Sequence, residues 1–482
     1  MDGSCLAAIV QGGMKLDTRG SIRKKAVRRV VTSVAALSAA VFALAGCGNS
    51  SSASASSADS VSMSDVNAAL KSDKKTTLTM WAWSEAQYKP VIEKFEKAYP
   101  NIKIKFTVSP VSTDEYTKFQ NAVSSGKNIP NIIQMEYDSM PQFAVKGSLA
   151  NFSSSSIEKE MGALYNDSAW KSAHVADGLY GIPTDQGPTV LYYRSDILKE
   201  HNLKAPTTWK EFEEEGIKLH KADSSKYMGF VDLADTRNLT NFLSYADSNP
   251  WTVKDVQNLS FDMQNSKVKE VATYIQRCIK EGVLKPISSA STEFNQAMNN
   301  SNYATYLDGA WRGALLKSMY PKLSGKWQVE TVPTWGTATK SVSSTSGGSM
   351  LALSEATPKA DRAAAIAFMN YINSNKDCVN TLVTEGGIFS ATKSYQNDST
   401  WETKTDKYFG GQAVNKVYFQ AAKDVNTNWS TLPFNQEAVN EYNDIVVPTY
   451  TSGDSIFDAI GQWQTKLVKY AKDQGFTVTE SK

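Results

Sequence analysis

The stretch Tyr180-Gly-Ile-Pro-Thr-Asp-Gln-Gly-Pro-Thr-Val-Leu-Tyr-Tyr-Arg194 constrains this chain more than any other. Gly181, Pro183, Gly187 and Pro188 punctuate the backbone, so residues 184–189 read as irregular and extended. Residues 190–193 follow as a short buried strand of β-branched and aromatic side chains. Locally this is either a loop entering a strand or a crossover between two lobes that presents Asp185 and Gln186 to whatever lies between them.

The flanking sequence differs on the two sides. Residues 76–83 read as a buried strand, and Tyr88, Val91, Ile92, Phe95 and Tyr99 mark one face of a helix stopped by Pro100. Residues 102–108 alternate strictly as a second strand. Tyr116, Phe119, Ala122 and Val123 mark another helix, and 131–135 a third strand. This β-α-β-α-β order predicts a doubly wound α/β lobe, which places ligands at the carboxyl ends of its strands. Trp81, Trp83 and Glu85 fall at one such end, Tyr137 and Asp138 at another. Beyond the stretch the chain is mainly helical, over 209–221, 236–246, 267–281 and 293–299. Residues 303–307 form a strand entering Asp308-Gly-Ala-Trp-Arg312, and 327–333 approach a second junction at Trp335. A Ser/Gly loop over 341–348 precedes a strand at 350–353. The next helix has Thr357 as its cap and Pro358 as its first residue. Ile456, Ile460, Trp463, Leu467 and Tyr470 give the last helix a core-facing stripe. At 482 residues the chain exceeds what one core usually organises.

Much of the base is concentrated at the amino end. Residues 1–46 carry seven Lys/Arg against Asp2 and Asp17, which leaves 44 basic and 47 acidic residues in the remainder. That balance excludes a polyanion binder, and no nucleic-acid partner is expected. Residues 23–29 form a charged n-region and 30–45 an uncharged apolar run, too short for a comfortable membrane span. The run ends Leu44-Ala-Gly-Cys47, which resembles a bacterial lipobox; the resemblance implies a signal peptide over 1–46 and lipidation of Cys47. Residues 47–75 are Ser-rich, and that composition predicts a flexible tether holding the body outside the cytoplasm, at the extracellular face of the cytoplasmic membrane. Cys278 and Cys378 sit in helical patterns and read as buried core, with a disulfide between them left open. His174, His201 and His220 are scattered and read as surface residues.

Several motifs together resemble one family, the carbohydrate-type extracellular solute-binding proteins of ABC importers. They are Gly178 to Arg194, Ala205-Pro-Thr-Thr-Trp209-Lys-Glu-Phe212, Tyr303 to Trp311, and Gly347-Gly348 before a strand and the helical 360–371. Their order and spacing cover 76–474; Arg194-Ser195 departs from the family's Asn-Lys at the exposed end of a strand. The resemblance implies an α/β, two-lobed, periplasmic-binding-protein-like fold of the type II solute-binding class. By it, residues 76–185 and 334–385 form lobe 1, and 186–333 and 386–482 the more helical lobe 2. Crossovers are expected at 184–189, at 331–334, and after Ile372.

A sugar offers hydroxyl rims and apolar C–H faces, so its site needs aromatic platforms among fixed polar groups. On position and resemblance the candidates are Trp81, Trp83, Glu85, Tyr137, Asp138, Asp185, Gln186, Asp308, Trp311, Arg312, Trp335, Gly347, Gly348, Trp429 and Phe434. Asp308 and Arg312 either contact hydroxyls or pair with each other, and Trp209 reads as a structural anchor of its helix. The family implies an oligosaccharide ligand, a membrane permease with its cytoplasmic ATPase as partners, a monomer, and no cofactor or metal. A lipid-anchored glycoside hydrolase and a glycan-binding adhesin are the competing classes. The sequence holds no Gly-x-Ser-x-Gly, His-Glu-x-x-His or P-loop.

Overall fold

A computed structural model describes residues 61–109 and 112–480. The expected signal peptide, Cys47 and the tether up to residue 60 lie outside the described residues. Among the described residues no helix is long and apolar enough to cross a membrane.

The tether expectation is corrected at its far end, where α1 (Met63–Lys71) forms. Ser62 caps it and Asp65 returns a bond to the Ser62 backbone, a complete capping box. Val66 is buried in the first core, with Met63 and Leu70 packed against it. A serine-rich composition hid one short amphipathic turn pattern.

The first sheet takes β1 (Thr76–Ala82), then, after α2 (Glu85–Ala98), β2 (Ile102–Val108), and after α3 (Ser112–Ser125), β3 (Ile132–Glu136). These three strands are mutually parallel about β1. β4 (Gly181–Pro183) leaves this sheet and the chain enters β5 (Thr189–Arg194), the centre of a second, antiparallel sheet. The longest helices that follow are α4 (Trp209–Ala222), α5 (Arg237–Tyr245) and α6 (Ser266–Lys280). β6 (Thr305–Gly309) and β7 (Trp327–Thr331) flank β5. The chain then returns as β8 (Ser349–Leu353), antiparallel to both β3 and β4, giving the first sheet the order β2-β1-β3-β8-β4. α7 (Lys359–Ser374) and α8 (Lys376–Thr384) cover it, and α9 (Ile456–Asp473) closes the other end of the molecule.

β5 shows why residues 190–193 lack alternation: Leu191 enters the second core, Val190 and Tyr192 a third cluster on the other face, and all three are fully buried. Trp209 anchors α4 as expected, 2% exposed and stacked 5.5 Å from Tyr245. Cys278 and Cys378 are buried and free, in separate cores, so they do not pair. α7 starts one residue later than expected: Pro358 is the cap, because the Thr357 hydroxyl donates to the Asn131 carbonyl instead (3.1 Å). The three histidines are half-buried. His174 lies 3.0 Å from Glu158, and His220 bonds the Lys226 carbonyl at 2.8 Å.

Three extended segments run side by side between the sheets. Residues 184–188 lead from β4 to β5, with Asp185 bridged to Ser390 and Pro188 to Thr345. The return passes beside Gly187, whose carbonyl accepts from the Ser346 amide at 2.7 Å. This corrects the expected crossing at 331–334. Thr334 pairs with Thr208 and Trp335 packs in the second core, so the chain crosses about ten residues later. The third segment, 389–391, bonds Gln186 and Thr184 through backbone groups.

Candidate functional site

Where the crossing segments meet the end of β3, a cavity of about 610 Å³ opens between the two cores. Ligand pockets for small molecules are commonly of this size. One wall is Glu136, Tyr137 and Asp138 at the end of β3, with Ser168, Lys171 and His174 beside them. The other is Asp235 and Arg237 at the start of α5, Asn241 one turn on, and Trp251, Asn428 and Trp429. Ser344, Thr345, Gly347 and Gly348 form the floor. Lys171 donates to the Thr427 carbonyl, and both residues line the cavity.

The two glycines at the floor are conformationally required. Gly348 has φ +98°, and a Cβ there would meet the Tyr137 ring at 3.0 Å and the Asp185 carbonyl at 3.2 Å. Gly347, at φ +75°, leaves room for Trp311 and Arg237 to approach.

Of the sequence candidates, Tyr137, Asp138, Gly347, Gly348 and Trp429 line the cavity. Tyr137 is pinned by donating its hydroxyl to the Asp185 carbonyl (3.0 Å). The Trp429 ring stands edge-to-face on Trp251, centroids 5.2 Å apart, and Trp251 is fixed by donating to the Ser430 carbonyl at 2.7 Å. Trp311 lies just beyond, donating to the Ser346 carbonyl at 2.7 Å, with the Arg312 guanidinium 4.5 Å from its ring. Asp308 and Arg312 pair with each other at 2.6 Å, and Asp308 also accepts from Ser346.

Other candidates are placed elsewhere. The Asp185 carboxylate accepts from the Ser349 amide and hydroxyl (2.7 and 2.6 Å) and so ties the first crossing to β8. Burial still lifts it to about 6. Gln186 is buried between Ser168 and Gln396, both within 2.8 Å. Trp335 and Phe434 correct the expectation that they face the cavity. Trp335 donates to Glu270 and packs on Tyr274, and Phe434 packs on Tyr470 and Phe476. Trp81 is buried beneath the Lys118 amine, Trp83 is half-buried against the first core, and Glu85 is exposed and paired with Lys89.

The cavity's charges were the least legible part. Arg237 Nε donates to both Asp235 oxygens at 2.9 Å. Burial works against its charge, but Asp235 and more distant carboxylates outweigh that and hold it firmly protonated. Burial, with Asp138 close by, pushes Glu136 up to about 7, while Arg237 opposes the rise. Asp138 is raised for the same first reason, burial. Asp235, Arg237, Glu136, Asn241, Lys171 and Trp251 were not sequence candidates. Ala-Asp-Thr-Arg237 reads as an ordinary helix start, and only the long-range pairing of the walls gives it a role.

Residues 90–409 match the family described as bacterial extracellular solute-binding proteins. The chain is 26% identical over 350 residues to a lactose-binding protein of Rhizobium radiobacter, covering 70% of this chain and 80% of that one. It is 25% identical to an arabinooligosaccharide-binding protein of Bacillus subtilis, over 54% of this chain and 61% of that one. Among solved structures it resembles an ABC transporter associated binding protein from B. animalis subsp. lactis in complex with β-1,6-galactobiose. That match has a TM-score of 0.69 at 28% identity, over 85% of this chain and 100% of that chain. A galacto-N-biose-/lacto-N-biose I-binding protein from Bifidobacterium longum shares the fold, with a TM-score of 0.71 at 19% identity, over 85% and 100% of the two chains. The two α/β lobes, the three crossing segments and the family match over most of the body agree, and this chain belongs to the bacterial extracellular solute-binding proteins.

Proposed function

We propose that this protein binds an oligosaccharide in the cavity between its lobes and delivers it to an ABC importer's permease, held at the extracellular face of the cytoplasmic membrane by a lipid on Cys47. The observation that carries the reading is the cavity of about 610 Å³ at the crossing segments, where Tyr137 and Trp429 stand among carboxylates, amides and backbone N–H groups. Aromatic faces suit the C–H faces of sugar rings, and the polar groups suit their hydroxyls. The relatives named for lactose and arabinooligosaccharide support the ligand class. Tyr137, Asp138, Trp429, Gly347 and Gly348 form the contact set, with Trp311 and Asp185 supporting the floor.

The paired carboxylates Glu136 and Asp138, both raised by burial, also fit a hydrolase. One assay separates the readings. The full chain is incubated with a panel of neutral di- and trisaccharides, and thermal stabilisation and product are both followed. The binding reading expects saturable stabilisation, about 2.7 kcal/mol at a hundredfold excess over Kd, with intact sugar recovered. Cleaved sugar would overturn it.

A further inference from the structure

The hinge end of the cavity carries more acid than base. Glu136 and Asp138 come from the end of β3, and Asp235 and Arg237 from the opposite wall. Arg237 is engaged along one edge by Asp235, through Nε at 2.9 Å and Nη2 at 2.7 Å. Its other terminal nitrogen lies toward Gly347, 3.9 Å from where a Cβ would stand. Asp308, the next carboxylate along, is held by Arg312. Glu136 accepts from the Tyr116 hydroxyl at 3.2 Å and Asp138 from Ser139 at 3.3 Å. Among the described residues no lysine or arginine comes within salt-bridge distance of either carboxylate. An ionised carboxylate only accepts hydrogen bonds, and in a half-buried site like charges repel strongly.

The geometry points to a charge filter: Glu136 and Asp138 accept from the hydroxyls of an uncharged sugar ring at the hinge and exclude a ring that carries a carboxylate or sulfate there. This rests on the sugar reading above and names the class of sugar that the site takes. Asp235 holds the Nε–Nη2 edge of Arg237, which leaves only Nη1, on the Gly347 side, to set against the three carboxylates.

The test titrates the full chain by calorimetry with neutral probes (lactose and α- and β-linked galactobioses) and with digalacturonic acid, at pH 8 and pH 5.5. At pH 8 the best neutral probe should bind at least about a hundredfold more tightly than the uronate. The gap should narrow at pH 5.5, where Glu136 is protonated while the uronate stays ionised. The groups facing Glu136 in this titration are Asp138, Arg237, Tyr116 and Asp185. Asp138→Asn should narrow the gap about tenfold at pH 8; the wild-type pH comparison stands on its own if that variant folds poorly. Equal or tighter binding of the uronate at pH 8 overturns the filter and leaves the sugar reading intact. Failure of every sugar, neutral and anionic, overturns the sugar reading and the filter with it.

Discussion

Glu115 is a buried acid of the first lobe whose charge costs stability. It is fully buried, and neither carboxylate oxygen has a hydrogen-bond partner among the described residues. Trp83 Nε1 and the Lys118 amine are its nearest polar neighbours, yet burial dominates and pushes the acid up from 4.5 to about 8. Because the folded state holds this proton more tightly than the unfolded chain does, stability falls as pH rises from about 4.5 to about 8. Glu115→Gln removes that loss. It should raise stability by on the order of 2 kcal/mol at pH 8 and by much less at pH 4.5, read from urea unfolding at the two values. At the same scale, Trp429→Ala should weaken sugar binding about tenfold or more with little change in fold, since its half-buried ring rests on Trp251 at the cavity's edge. Calorimetric titration reads the loss. The place of Tyr137 and Asp138 in the cavity lining was legible because both follow a strand's carboxyl end in a doubly wound lobe. The places of Trp335 and Phe434 were not, because an aromatic beside a junction can turn either way and only packing chooses.

At the scale of elements, the crossing segments and the glycines between them decide how the lobes are joined. Gly348→Ala asks a side chain to accept φ +98° against the Tyr137 ring and the Asp185 carbonyl. It should cost about 1–3 kcal/mol in thermal or chemical unfolding. α1 is a separable element: Ser62→Ala breaks its capping box and should cost about 1 kcal/mol locally. Amide exchange over residues 66–71 should speed about fivefold, with the global midpoint almost unmoved. Most elements were readable because their apolar periods are strong, as in β2 and α9. The crossing at 345–348 was misplaced because a proline and a tryptophan at 333–335 resemble a junction. In fact Trp335 finds a partner in Glu270, and the small residues beyond it fit beside Gly187. The helical turn at 63–71 was lost in serine-rich composition.

At the scale of the molecule, the first lobe's core and the second lobe's two clusters are tied by three extended segments, and a polar and aromatic cavity lies where those segments pass. Pro183 and Pro188 bracket the first segment, and Asp185 within it is bonded to Ser349, the first residue of β8. Two prolines and a buried carboxylate restrict the torsions open to this segment, and Lys171 on Thr427 adds a bond between residues that line the cavity. The most direct measurement is calorimetric titration of the full chain with neutral di- and trisaccharides, repeated with Trp429→Ala. One saturable site for at least one sugar, weakened about tenfold or more in the variant, is the predicted result. Absence of binding across the panel, or unchanged affinity in Trp429→Ala, would contradict sugar recognition in this cavity.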